Sequence, residues 1–222
     1  MTVLLHLDAS PRRRSVSRDV GAAFVAGWQE VRPTGVRTYR DLTADPVPFI
    51  DEAWTELCDH VLREGITELD RLKEAVRTPA QAAAWAIVEP LLAELIAADV
   101  VLIATPMYNY SVPASLKSWL DQVTFPRMSL AGRRFVVASA RGGSYAPGAP
   151  KAPYDHQERY LRDFFVGHFA VDDVTFINAE LVNARIDPAL AHLRDAHERS
   201  LAEALKSARE LGRRYAQEAA DE

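Results

Sequence analysis

Short runs of aliphatic and β-branched residues alternate along this chain with long stretches in which apolar residues recur every three or four positions. That alternation predicts βαβ units around a parallel sheet. Five strands are predicted, over Thr2 to Leu7, Gly35 to Tyr39, Val100 to Ala104, Arg133 to Ser139 and Asp173 to Ile177. The third and fourth are almost continuously apolar, as expected of central strands covered on both faces. Helical spacing marks Ser17 to Val31, Pro79 to Ala97, Ala114 to Val123, Gln157 to Phe169 and Pro188 to Ala219, with Ser15 or Ser17 as N-caps of the first. Five strands and five helices suit an α/β, doubly wound fold.

The connection between the second and third strands is long. Its residues Asp51 to Arg77 carry charges at helical spacing between Pro46, Pro48 and Pro79, which predicts an added helix outside the covering layer, as a flap or a subunit contact. Trp54, Trp85 and Trp119 are expected to pack in the interior, as are Phe164, Phe165 and Phe169. The closing residues Gln217 to Glu222 are polar enough to fray.

Composition narrows the functional classes. The 222 residues suit one large α/β domain spanning 1–222, with 51–77 as an insertion. A formal charge of −5 gives no broad basic field for nucleic acid or an anionic membrane. One cysteine, Cys58, excludes an internal disulfide and any multi-thiolate metal site, and fits the reducing cytoplasm. The first apolar run is too short for a signal peptide, and no other approaches the roughly 20 residues of a membrane span.

In an open parallel sheet, ligands bind beyond the carboxyl ends of the strands. Three loops fall there. After the first strand, Ser10 is followed by Pro11, three arginines and Ser15-Val16-Ser17, so hydroxyls and the free amides of a helix start can hold a phosphate without a Walker lysine. The plain alternative is a serine cap beside solvated arginines. After the third strand comes Pro106-Met107-Tyr108-Asn109-Tyr110, whose aromatics suit a flat ligand, unless they only cover the sheet edge. After the fourth comes Ala140-Arg141-Gly142-Gly143, where paired glycines allow close backbone approach or merely a turn. Other chemistry is thinly supported. His192 and His197 stand five apart on one helix, off a common face for a metal, and neither Ser10 nor Ser139 sits in a nucleophile elbow.

These motifs, in their order and spacing, resemble the flavodoxin-like FMN-dependent NADH:quinone oxidoreductases and azoreductases; Asp41-Leu42 and Pro46-Val47-Pro48 match as well. The resemblance runs from the first strand to the last helix and implies a sheet of order 2-1-3-4-5. It also implies that Ser10, Ser15, Val16 and Ser17 hold the phosphate of a tightly bound FMN. Pro106, Met107, Tyr108, Asn109 and Tyr110 would lie beside its ring, and Ala140, Arg141, Gly142 and Gly143 at the pyrimidine end, with Arg141 a candidate for balancing charge there. NADH or NADPH would reduce the flavin, and a quinone or azo compound would reoxidise it in a ping-pong cycle within a cytoplasmic homodimer. No catalytic side chain and no metal are implied. Two features depart from the pattern. Ala140 replaces a usual serine, and Thr124 to Gly132 is shorter than the family's acceptor-pocket hairpin, a gap that 51–77 is expected to fill. The rival readings are a flavodoxin-type electron carrier and a flavin-free regulatory protein on the same fold.

Overall fold

The computed structural model describes residues 2–221. Five strands, β1 (Val3–Asp8), β2 (Val36–Asp41), β3 (Val100–Pro106), β4 (Arg134–Ala140) and β5 (Val174–Ala179), form one parallel sheet in the order β2-β1-β3-β4-β5. This is the expected order, and β3 is buried along its whole length. Successive side chains of a strand point to opposite faces, so β3 feeds two separate cores. Val101 and Ile103 pack with α3 (Pro79–Ala97), α4 (Ala114–Val123) and α5 (His156–Phe169). Val100, Leu102 and Ala104 pack with α1 (Val16–Val31) and α6 (Arg194–Asp221).

α1 and α6 cross with almost no space between their backbones. A Cβ placed on Gly27 would overlap the Arg209 carbonyl, and one on Gly212 would overlap the Phe24 carbonyl. Glycine is therefore required at both positions for the helices to meet at this distance. The crossing anchors α1, whose first turn borders the site described below.

Three expectations are corrected. The segment 51–77 holds two elements: α2 (Glu52–Glu64), which stops at Gly65 in the left-handed region (φ 67°), and a 3-10 turn over Leu69–Ala75. It is no loose flap. Leu57, Val61, Ile66, Leu72 and Ala75 are buried in the α3-side core, and the Trp54 ring lies 5.7 Å from that of Phe125. The segment from Pro188 is not one helix either. Asp187 caps a 3-10 turn over Pro188–Leu193, and α6 begins only at Arg194 and runs to Asp221, with Glu222 outside the described residues. Finally, α3 is long and apolar enough, by length and composition, to cross a membrane. Here its Trp85, Val88, Leu91, Leu92 and Leu95 are buried in the core beside the sheet.

Candidate active site

The strand ends stay in register along one rim, with Asp8 opposite both Asp41 and Ala104, and Ala140 opposite both Pro106 and Ala179. The loops leaving that rim enclose a cavity of about 530 Å³, within the range of small-molecule sites.

The first wall is the loop from Ser10 to the start of α1. Ser15 is the N-cap of α1 but makes no side-chain capping bond; its hydroxyl is 2.9 Å from that of Ser17. The amides of Val16, Ser17 and Arg18 have no acceptor among the described residues, leaving donors and the positive end of a helix dipole at the cavity. Arg18 fixes the loop, donating to the Ser10 carbonyl (2.7 Å), Asp8 (2.9 Å) and Asp41 (2.7 Å). Thr43 donates to the same Ser10 carbonyl. The Asp41-Leu42 pair thus has a structural role: Asp41 holds Arg18, and the Leu42 amide donates to the Asp8 carbonyl at 2.8 Å.

Burial pushes the Asp8 carboxyl up, but His6, Tyr39 and Arg18 outweigh it and hold Asp8 below the ordinary 3.8. Burial likewise pushes the Asp41 carboxyl up, and the bonds from the Thr43 amide and Arg18 outweigh it and hold Asp41 below its ordinary value. A depressed folded-state pKa stabilises the fold fully above the unfolded value and is lost as pH falls through the folded value. The loop clamp is therefore complete above pH 3.8 and is lost as pH falls from there through the lowered folded-state values. In acid titrations of unfolding, the stability gap between the wild type and Arg18→Met is expected to narrow as pH falls below 3.8; a gap that acid leaves unchanged would contradict the clamp.

The second wall is the 107–110 turn. Tyr108 and Ser111 exchange amide-to-carbonyl bonds of 3.0 and 2.9 Å, closing a turn in which Asn109 (φ 49°) and Tyr110 (φ 69°) both sit in the left-handed region. Two such residues together store on the order of 1–3 kcal/mol each. Gln157, on α5 and 1% exposed, secures the turn from behind. Its amide nitrogen donates to the Pro106 carbonyl (2.9 Å) and the Ser111 carbonyl (3.3 Å), and its oxygen accepts from Ser139 at 3.0 Å. Tyr108 and Tyr110 remain substantially exposed, and the Tyr110 ring lies 5.5 Å from Tyr154 and 6.4 Å from Tyr145.

The third wall follows β4. The carbonyls of Arg141, Gly142 and Gly143 accept from the amides of Val182, Asn183 and Leu181 at 3.0, 3.2 and 3.1 Å. The amides of Gly142 and Gly143 keep no acceptor among the described residues. Asn183 lies against Gly142 and Lys151 against Gly143, so that a Cβ at either glycine would crowd them.

Of the residues singled out in the sequence, Ser10, Ser15, Val16, Pro106, Met107, Tyr108, Asn109, Tyr110, Ala140, Gly142 and Gly143 line the cavity. Ser17 and Arg141 do not: Ser17 is fully buried and turned to Ser15. Arg141 is 2% exposed, bound to Asp155 (2.6 Å) and Glu158 (3.0 Å), with Glu180 at 3.9 Å. Its charge is consumed inside the fold. The sequence reading missed Gln157, Lys151 and the wall of Val182, Asn183, Arg185 and Ile186. No residue of 51–77 or 124–132 lines the cavity; in the latter, Phe125, Met128 and Leu130 are buried core.

Rival chemistry finds no footing among the described residues. There is no cluster of potential metal ligands. Ser139 is occupied by Gln157 and Arg141. Burial pushes the Cys58 thiol up to about 12, as for a packing residue.

A family model described as flavodoxin-like fold matches residues 2–204. The chain is 71% identical over 215 residues to a Nocardia farcinica protein named FMN-dependent NADH:quinone oxidoreductase, covering 97% of this chain and 100% of that one. It is 40% identical over 230 residues to a Streptomyces avermitilis protein of the same name, covering 97% and 100%. Among solved structures, an azoreductase from Bacillus anthracis str. Sterne superposes with a TM-score of 0.79 at 21% identity, covering 96% of this chain and 100% of that one, which is a likeness of fold.

Proposed function

We propose, from the premise that this chain belongs to the family of FMN-dependent NADH:quinone oxidoreductases, that it passes electrons from NADH to a quinone or azo-type acceptor through FMN held in the rim cavity. One observation carries the assignment of the site. Amides without acceptors stand at two places around one cavity, at the α1 start and at Gly142 and Gly143, and phosphate suits the first as an electron-rich ring edge suits the second. The residues present therefore fit the cofactor. When bound, FMN supplies the two-electron relay that side chains lack.

The chain's own contribution is to bind, orient and shield. Ser10, Ser15 and Val16 line the phosphate end of the cavity, and Ser17, its hydroxyl turned to Ser15, contributes its first-turn amide together with the α1 dipole. Arg18 sets the shape of that loop from beneath, without itself lining the cavity. Pro106, Met107, Tyr108, Asn109 and Tyr110 form the wall for the ring, and Gln157 keeps their turn from relaxing. Ala140, Arg141, Gly142 and Gly143 complete the far end through their backbone, Arg141 acting by holding the loop in place. No side chain is assigned a proton to transfer; solvent reaches the mouth.

NADH and the acceptor take turns at the mouth between the tyrosines and the 182–186 wall, which makes the cycle ping-pong. The whole chain acts as one domain, in the cytoplasm and apart from nucleic acid and membrane, as its net charge of −5 favours. Two copies pair, and the exposed Phe49 and Ile50 suit an apolar contact between them.

Stopped-flow mixing tests the reading. NADH alone is expected to bleach the flavin of the FMN-loaded protein, and a quinone added afterwards to restore its colour, each step complete without the other substrate. A flavin that ignores NADH would point instead to an electron carrier, and protein that takes up no FMN would overturn the assignment.

A further inference from the structure

We propose that Lys151 supplies the positive charge that stabilises the negative charge arriving with a hydride at the Gly142–Gly143 end of the cavity. This rests on the reading of the cavity as the FMN site. A hydride carries two electrons and one proton, so its transfer leaves NAD⁺ behind and adds one net negative charge to the receiving end. That charge persists until solvent supplies a proton or the hydride passes on to the acceptor. A site adapted to this step needs a cation there that is not already neutralised.

Arg141, next to the glycines in sequence, is not that cation. Its guanidinium faces Asp155, Glu158 and Glu180 and is almost fully buried among them. Lys151 meets the requirement on three counts. It lines the cavity, and its ammonium makes neither an ion pair nor a hydrogen bond with any described residue. It sits over the glycine: a Cβ built on Gly143 would be 3.0 Å from its Cδ and 3.3 Å from its Nζ. It also stands beside the acceptor-free amides of Gly142 and Gly143, so a charged donor and two neutral ones gather at one end of the cavity.

The local chain explains why the lysine is held there. Pro147, Pro150 and Pro153 restrict the segment, and the Tyr154 amide donates to the Lys151 carbonyl at 2.9 Å, opening the 3-10 turn over Ala152–Tyr154. The neighbouring carboxylates are spoken for. Asp155 and Glu158 bind Arg141, and Glu180 binds the Ser144 hydroxyl and the Tyr145 amide. The Lys151 charge therefore remains directed to whatever occupies the cavity.

The test is the two-electron midpoint potential of the FMN-loaded protein, measured together with its affinity for oxidised FMN. Lys151→Met is expected to weaken binding of the reduced cofactor about tenfold more than that of the oxidised one, which for a two-electron couple lowers the potential by about 30 mV. Lys151→Gln, a second neutral variant, is expected to match it. Lys151→Arg is expected to retain most of the wild-type potential, and Lys206→Gln, which removes an exposed charge from α6, to leave it unshifted. Neutral variants that take up FMN and keep the wild-type potential would overturn the proposal while leaving the cofactor assignment intact. Shifts as large in Lys206→Gln would also overturn it, by showing that only net charge matters. Failure of the wild type to bind FMN would instead remove the underlying reading, and this proposal with it.

Discussion

Replacing Ser15 with aspartate is expected to stabilise the apoprotein while lowering its affinity for FMN by about a hundredfold or more, roughly 2.7 kcal/mol. The opposite signs share one cause. Ser15 stands at the N-cap of α1 yet leaves the first-turn amides unbonded. A carboxylate there accepts one of those amides and complements the helix dipole, for a gain of about 1 kcal/mol. The same carboxylate puts a fixed negative charge where the phosphate belongs, and like charges in contact repel. Thermal melting of the apoprotein and fluorescence titration with FMN measure the two effects separately. A variant that melts higher and still binds FMN at wild-type affinity would show that the phosphate lies elsewhere.

Arg141→Met is expected to cost about 3 kcal/mol of stability and to abolish FMN uptake, although its side chain does not line the cavity. Truncating one member of a buried ion cluster leaves its partners without compensation, which typically costs 3–5 kcal/mol. The lower figure suits this site because the carboxylates of Asp155, Glu158 and Glu180 retain some contact with water. The effect on binding follows from the bonds that Glu180 makes. It accepts from Ser144 and from the Tyr145 amide, so a displaced Glu180 releases the chain that leaves the glycine pair. Urea denaturation with and without FMN checks both parts, and an unfolding midpoint equal to wild type would refute the account. Arg141→Lys is expected to fall between, since an ammonium cannot span carboxylates that a planar guanidinium engages on separate nitrogens.

What was legible in the sequence follows the range of the forces involved. The bounds of α3 and α4 were readable because Thr78 with Gln81 forms a capping box before an apolar run, and Pro113 stands directly before the next stretch of helical spacing. The central strands were readable because each apolar run ends at a rim loop rich in turn formers. The serine, tyrosine and glycine loops were readable because a parallel sheet delivers successive strand ends to one edge. The misses involve partners distant in sequence. Nothing near Arg141 announces that carboxylates 14, 17 and 39 positions further along surround it. Gln157 reads as an ordinary helix position until α5 is laid behind the Pro106 carbonyl. The wall at 182–186 follows the fifth strand, whose loop the strand-end rule also includes, but Leu181-Val182-Asn183 carries no local mark of its left-handed start at Leu181. The break between Leu193 and Arg194 was obscured because Pro188 both starts a turn and suits the first position of a longer helix.

The position of Cys58 has a bearing on the compounds this protein is proposed to reduce. Quinones are electrophiles that add covalently to sulfur, and the reactive form is the thiolate. Cys58 packs in the core between α2 and its neighbours, with its thiol pushed up to about 12, so at neutral pH roughly one molecule in 10⁵ would present the anion. With no other cysteine in the chain, an electrophilic acceptor would meet almost no thiolate on this protein.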